Sequence, residues 1–276
     1  MNKKALQNLL RERRDLIDPE ALGLTRRKAG SGRRAPGLSQ QQIDELTNRA
    51  QGTYNRLETG AMSNPTIGYL EQVARLLGLN EQEWVALCRY SGIGDPPGPL
   101  NQASGLEVPG VWKEAVEGIG HMAYVTDASW NLVTYNQQWV DLFPGRRIPR
   151  NTMRWMLLDQ DARITLTDWK TAWAPLVLPQ LRAGLALRPN DETLRQIEKE
   201  VRADPDLGPL WANPGAHMHP DGDERPLNHA LEGPGYVTMC AAQPLTAPGA
   251  RLIILLWHPG TKKVHTRTPM LHALDI

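Results

Sequence analysis

The chain has 276 residues, a formal net charge of +1 from 31 Lys/Arg and 30 Asp/Glu, and two cysteines. The length suits two cores rather than one, and Cys88 and Cys240 lie too far apart to set up a disulfide framework or a zinc-ligand spacing. The longest strongly apolar run, "LIILLW" (Leu252 to Trp257), is too short to span a bilayer, and the N-terminus lacks an export-type apolar core, so a soluble, cytoplasmic protein without membrane insertion is expected.

Before residue 91 every element reads as helical. Leu6, Leu9 and Leu10 make a first apolar stripe. The stretch "TRRKAGSGRRAPG" then sets Arg26, Arg27, Lys28, Arg33 and Arg34 together with no acid among them. The field of such a cluster attracts a polyanion, although a solvated loop is the usual fate of a charge run. Ile43 with Leu46, Tyr54 with Leu57, Ile67 through Leu77, and Trp84 with Leu87 and Cys88 complete five stripes. Ser39 with Gln42, and Asn80 with Glu83, have the spacing of capping boxes. Asn64 is expected to cap the fourth helix with Pro65 at its first position, and Gly78 to close it in a left-handed conformation.

"SGIGDPPGPLNQASGL", Ser91 to Leu106, has no apolar period and reads as a flexible linker. After it the period changes. "MAYVTD" and "NLVTYN" read as strands joined by a turn at Ala128 to Trp130, and "NQQWVDLF" starts a helix. A helical middle follows, in "DARITLTDWKTAWAPL", "LPQLRAGLAL" and "DETLRQIEKEVRAD". The chain returns to strands in "RPLNHAL", "YVTMCAAQ" and "RLIILLWH". The pattern predicts a small mixed sheet with helices inserted between its early and late strands, an α+β arrangement.

Two close helices joined by a short turn form the motif that lays its second helix in the DNA major groove. "LSQQQIDEL", "TNRA" and "QGTYNRLETG" resemble the helix-turn-helix of lambda-repressor-like, or XRE-type, regulators, and the resemblance extends over about residues 4 to 90. It implies an all-α five-helix DNA-binding domain. Gln40, at a helix N-terminus, suits a DNA phosphate. Gln51, Gly52, Thr53, Asn55 and Arg56 fall where that family meets base edges or adjoining phosphates, and Gln, Asn and Arg have the donor geometry for base readout. Arg33 and Arg34 are expected to add a second, salt-sensitive contact. Tyr54, Leu57 and Glu58 read as scaffold.

Three departures from the pattern bear on the recognition helix. Asn48 stands where glycine is common in the turn and tolerates a left-handed backbone. Arg49 replaces a small apolar residue, and Ala50 replaces a Ser or Thr cap whose loss costs about 1 kcal/mol. With Gly52 also weakening the helix, a loose first turn that tightens only on DNA is expected.

"AYVTDASWNLVTYNQQWVDLFPG" resembles the opening of a PAS domain. With "RNTMRWM", "LTDWKTAW", "LPQLRAGLALRPNDETLRQIEKEV", "LGPLW" and "LNHALEGPGYVTM", the chain from about Val108 to Lys263 is similar to the MmyB-type ligand-binding domain of actinobacterial and related regulators. That resemblance implies a PAS-like core that binds a fatty acid or another long apolar molecule, with no other cofactor. Asn136, Asn151, Arg154, Arg182 and His229 match polar positions of those motifs, and Trp139, Trp155, Trp169 and Trp211 are the aromatic candidates for lining a pocket. Core filling is the commoner role for any single Trp. The loop "AHMHPDGDERPLNH" gathers His217, His219, Asp221, Asp223, Glu224 and His229, but nothing in its spacing fixes a metal geometry, so no metal is assigned. No nucleophile elbow or phosphate loop occurs, so no enzyme activity is expected.

The fold expected is therefore multidomain: an all-α five-helix lambda-repressor-like domain over residues 1–90, a linker over 91–106, an α+β PAS-like domain over 107–265 and a C-terminal tail over 266–276. The function expected is sequence-specific transcription regulation by a homodimer on a palindromic double-stranded DNA operator, with an apolar small molecule as effector. The alternative is a second domain that serves as a ligand-free platform for dimerisation or for a protein partner.

Overall fold

Each of the five apolar stripes at the start of the chain becomes a helix: α1 (Lys3–Leu16), α2 (Gln40–Leu46), α3 (Thr53–Glu58), α4 (Ile67–Leu76) and α5 (Glu81–Ser91). The computed structural model describes residues 1–25, 37–212 and 221–260. The chain divides into two units, Met1–Gln102 and Ala103–Ile276. In the first, Leu6, Leu10, Ile43, Tyr54, Leu70 and Leu87 are sealed from solvent in one core. Ser39 with Gln42 and Asn80 with Glu83 form reciprocal capping boxes, satisfying amides that a helix start otherwise leaves unpaired. The cap of α4 is Thr66 rather than Asn64: its side chain accepts from the Tyr69 N–H at 3.3 Å, so Pro65 precedes the cap. Gly78 follows α4 with a φ of 63°, in the left-handed region.

The Gly/Pro tract from Ser91 to Leu106 does not run as a free linker. Trp84 Nε1 donates to the Gly98 carbonyl at 3.1 Å, and the amides of Leu100 and Asn101 donate to the Glu81 carboxylate at 2.9 and 2.8 Å. Farther on, in the second unit, the Gly105 carbonyl accepts from the Ala128 amide at 2.9 Å and the Ser104 carbonyl from Arg188 Nη1 at 2.9 Å. Lack of periodicity here reflects side-chain-to-backbone bonding in place of a regular ladder.

The second unit is built on a five-stranded sheet whose pairings are all antiparallel, which corrects the mixed sheet expected. Its strands are β1 (Met122–Thr126), β2 (Leu132–Tyr135), β3 (Asp223–His229), β4 (Gly233–Ala242) and β5 (Arg251–Pro259), in the order β2-β1-β5-β4-β3. Helix α6 (Val111–Glu117) precedes β1. Between β2 and β3 lie α7 (Gln137–Asp141), α8 (Thr152–Leu158), α9 (Gln160–Thr165), α10 (Ala174–Leu187), α11 (Glu192–Ala203) and α12 (Leu207–Ala212). The alternation of a pleated strand sorts its residues onto two faces. Met122, Tyr124, Ile253 and Leu255 join the main core. Ala123 and Val125 pack on the other side with Val116 of α6, Leu252 and Ile254. No helix among the described residues is long and apolar enough to cross a membrane.

The segment expected as one helix from Asp161 to Leu176 is broken. After α9 the chain passes Asp168 at a φ of 54°, makes one π-helical turn over Trp169–Trp173, and enters α10. Leu166, Trp169 and Trp173 are all buried across the break. Helices α6, α8 and α12 have no counterpart among the expected elements.

Trp130 follows β1 at a φ of 64° and is buried against α10, where a Cβ on Gly184 would stand 2.7 Å from the indole. Helix propensity alone favours alanine over glycine by about 1 kcal/mol, whereas overpacking costs about 1–3 kcal/mol. The Gly184→Ala variant is therefore expected to melt below the wild type in differential scanning calorimetry; a raised midpoint would show that Trp130 yields freely.

Candidate functional site

The turn between α2 and α3 is shaped by two left-handed residues, Asn48 at a φ of 52° and Gly52 at 84°. Asn48 fills the turn position as expected. Gly52 is the N-cap residue of α3, and its conformation is one that a side-chain-bearing residue rarely adopts. The cap that Ala50 and Gly52 cannot provide comes from α2. The buried Asp44 carboxylate accepts from the Gly52 amide through Oδ2 and from the Tyr54 amide through Oδ1, both at 2.7 Å. The expected loose first turn is thus corrected: both amides are held by a charged acceptor, the stronger class of hydrogen bond.

Helix α3 has one face fixed inward and one turned out. Tyr54, Leu57 and Glu58 are buried. The Tyr54 hydroxyl donates to the Leu10 carbonyl at 3.3 Å, and burial raises its pKa. Glu58 accepts from Arg14 Nε at 3.1 Å and from Gln40 Nε2 at 2.9 Å, while Arg14 Nη1 donates to the Leu38 carbonyl at 2.7 Å. Gln40 is therefore tied to the end of α3, its amide group fixed beside the α2 N-terminus. Gln51, Asn55 and Arg56 are exposed, and Thr53 donates through its hydroxyl to the Ala50 carbonyl. Arg49 points outward with its guanidinium 5.1 Å from the centre of the Tyr69 ring. Burial, together with the nearby Asp44 charge, pushes the Tyr69 phenol up to about 12, opposed by Arg49 and Arg56. Arg33 and Arg34, with Arg26, Arg27 and Lys28, lie outside the described residues.

In the second unit the expected site residues separate into several places. Asn136 is the N-cap of α7: its Oδ1 accepts from the amides of Ala123 and Trp139, and its Nδ2 donates to the carbonyls of Ile119 and His121. Asn151 caps α8 by accepting from the Arg154 amide and donates to Ser129 O and Asn131 Oδ1. Both amide groups are consumed by the scaffold rather than offered to a ligand. Arg154 pairs with Glu200 on α11. Arg182 and Trp211 do meet: Nη2 donates to the Trp211 carbonyl at 2.8 Å and the guanidinium lies 4.8 Å from its ring centre, which closes the end of α12. Trp169 donates to the Met156 carbonyl at 2.7 Å and lies under Arg163. Trp139 and Trp155 share an aromatic cluster with Tyr124 and Phe143, with centroid separations from 4.1 Å for Tyr124 and Trp139 to 6.2 Å for the two tryptophans.

His229 ends β3 and is buried. Its Nδ1 accepts from the amides of Leu231 and Glu232 at 3.2 and 3.3 Å, so the ring proton belongs on Nε2. Burial lowers its pKa against the pull of Glu232 and Asp141. The ring borders two surface cavities, one of 640 Å³ beside Phe143 and Arg146 and one of 280 Å³ beside His121 and Trp257. His217 and His219 fall outside the described residues; Asp223 forms an ion pair with Arg225 at 2.7 Å and Asp221 accepts from the Ala241 amide at 2.8 Å. No group of metal-ligating side chains gathers among the described residues.

Four groups escape the sequence reading: Asp44, Arg14, Arg225 and Arg251. The last two lie on the inner face of the sheet. The Arg225 guanidinium stacks over Trp173 at 5.0 Å, and the Arg251 guanidinium over Trp130 at 3.7 Å. A charged residue alternating with leucine or proline in a strand is ordinarily assigned to the solvent face, so only the register of the sheet shows these two inward.

Removing the Asp44 carboxylate leaves two amides at the start of α3 without their acceptor. The Asp44→Ala variant is expected to lose about 1–3 kcal/mol from the unfolding of the first unit in urea, and Asp44→Asn, which keeps one acceptor oxygen, less. An unchanged midpoint for Asp44→Ala would show the cap to be dispensable.

The model of the helix-turn-helix domain matches residues 8–87, and that of the MmyB-like transcription regulator ligand binding domain matches residues 116–268. None of the curated proteins compared with the chain matches it. The first match falls on α1 to α5, with the Asp44-capped helix pair at its centre, and the second takes in the whole five-stranded sheet and the helices inserted in it. The chain is a DNA-binding transcription regulator that belongs to the MmyB-like family, with a helix-turn-helix domain ahead of its ligand-binding domain.

Proposed function

We propose that the protein is a sequence-specific regulator of the XRE type that binds a palindromic operator as a homodimer, and that its second unit is a PAS-like sensor of an apolar small molecule, with a fatty acid the best fit. The observation that carries the DNA reading is the division of α3 into two faces. Tyr54, Leu57 and Glu58 anchor the helix, while Gln51, Asn55 and Arg56 stand free of the core with Arg49 beside them. Arg56 suits guanine, Gln51 and Asn55 suit adenine, and the fixed amide of Gln40 suits a phosphate at the start of α2. One such unit contacts few base pairs, so two copies related by a two-fold axis reading two half-sites supply the specificity. Arg33 and Arg34 then serve as backbone contacts. Such a regulator works in the cytoplasm, on the DNA of the nucleoid.

The sensor reading is supported by a sheet whose inner face carries Tyr124, Met122 and a cluster of tryptophans, beneath helices inserted between β2 and β3. An effector acts by preferring one arrangement of the two reading heads, and its leverage is limited to its differential affinity for the arrangements. One observation favours the second reading, a ligand-free platform for dimerisation or a protein partner: Trp139, Trp155, Trp169 and Trp173 pack the inner face tightly.

The Arg56→Ala and Gln51→Ala variants are each expected to lose about 1–3 kcal/mol of discrimination between operator and mismatched sites, measured by fluorescence anisotropy over a set of selected sequences. Equal binding of every sequence by wild type and variants alike would place base readout elsewhere.

A further inference from the structure

The arginines of the first unit are not treated alike. Among its described residues, Arg11, Arg13, Arg14, Arg75 and Arg89 each have a carboxylate partner, in Asp15, Glu83, Glu58, Glu71 and Asp95 respectively. Arg49 and Arg56 have no carboxylate partner among the described residues, and both are exposed. For Arg56 the proposed base contact accounts for that. Arg49 stands instead in the turn between α2 and α3, outside the row of Gln51, Asn55 and Arg56. Asp44, five residues before it, has both carboxylate oxygens taken up by the amides of Gly52 and Tyr54.

Arg49 is nevertheless held in one place. Its guanidinium lies 5.1 Å from the centre of the Tyr69 ring, and Nη2 donates to Gln72 Oε1 at 3.5 Å, the long limit of a hydrogen bond. Tyr69 is buried and its hydroxyl makes no hydrogen bond, so what it offers Arg49 is the face of its ring. An apolar side chain would cover that ring as well. A full charge fixed on it instead, at an exposed turn, creates a field that a polyanion can use. A cation over a ring and one long bond to a neutral amide are both weak at an exposed site, so they restrict the rotamers of the arginine without neutralising it.

The position of Arg49 selects phosphate over base. In a helix-turn-helix the first helix crosses the DNA backbone and the second enters the groove by its N-terminal residues. A turn residue that leans on α4 lies between those two contacts, at the edge of the groove where the phosphates run. We propose that Arg49, carried on the face of Tyr69, grips a DNA phosphate beside the start of α3, with Tyr69 as its positioning residue. This rests on the reading of α3 as the helix that meets the bases, and adds a sequence-independent contact made by the turn itself, apart from Gln40 and from Arg33 and Arg34.

The test is fluorescence anisotropy of the full-length protein with an operator selected in vitro and with a scrambled duplex of the same length, at salt concentrations between about 50 and 200 mM. Arg49→Met, which keeps the apolar stem and removes the charge, is expected to weaken both duplexes about three- to tenfold and to reduce the slope of log affinity against log salt by about 0.9. Tyr69→Leu should weaken both about two- to fivefold with the slope unchanged, because the charge is still there but no longer held. Tyr69→Phe, which keeps the ring, should bind as wild type does. An unchanged slope in Arg49→Met, or a loss confined to the operator, overturns the phosphate contact while the reading of α3 stands, provided that Arg56→Ala still alters discrimination. Tyr69→Phe as weak as Tyr69→Leu overturns the role of the ring. If neither Arg49→Met nor Arg56→Ala changes binding to either duplex, both the contact and the reading of α3 fall.

Discussion

A single buried carboxylate fixes α3 to α2. Asp44 accepts the Gly52 and Tyr54 amides at 2.7 Å each, and without it the helix would begin at a left-handed glycine with no side chain to take its first amides. The rest of the first unit follows from that constraint. Tyr54 is drawn into the core beneath Leu10, Glu58 is carried to Arg14 and Gln40, and the remaining positions of a six-residue helix have nowhere to face but outward. The exposed row of Gln51, Asn55 and Arg56 is thus a consequence of how the opposite face is held. A surface pre-set in this way, if it reads bases as proposed, loses less conformational entropy when it docks.

The second unit uses the same device for a different end. Asn136 and Asn151 each cap a helix and at the same time reach back to the backbone around β1. They join α7 and α8 to the sheet and leave the inner face to aromatic rings. Where polar groups do reach that face, they are treated unequally: Arg225 has its aspartate, while Arg251 has only the face of an indole.

Local chemistry was readable in the sequence and non-local chemistry was not. The five helices, both capping boxes and the order of strands follow from spacings of two to four residues, and the structure contains them. The Asp44 cap spans a turn to amides eight and ten residues away, so the same stretch read locally suggested a loose start to α3. The start of α4 falls two residues later than its local spacing suggests, because Thr66 rather than Asn64 supplies the cap. In the second unit, polar residues at motif positions looked like ligand contacts, yet Asn136, Asn151 and Arg182 are bonded to backbone carbonyls and amides. The inward turn of Arg251 becomes visible only once Thr126 and Arg251 are in register.

Amide hydrogen exchange on the protein without DNA tests the pre-set recognition helix most directly. If Asp44 holds α3 as described, the Gly52 and Tyr54 amides exchange slowly before any DNA is added, at rates close to those of buried amides in α4, and operator binding changes them little. Fast exchange at both positions, suppressed only when operator is bound, would contradict the account.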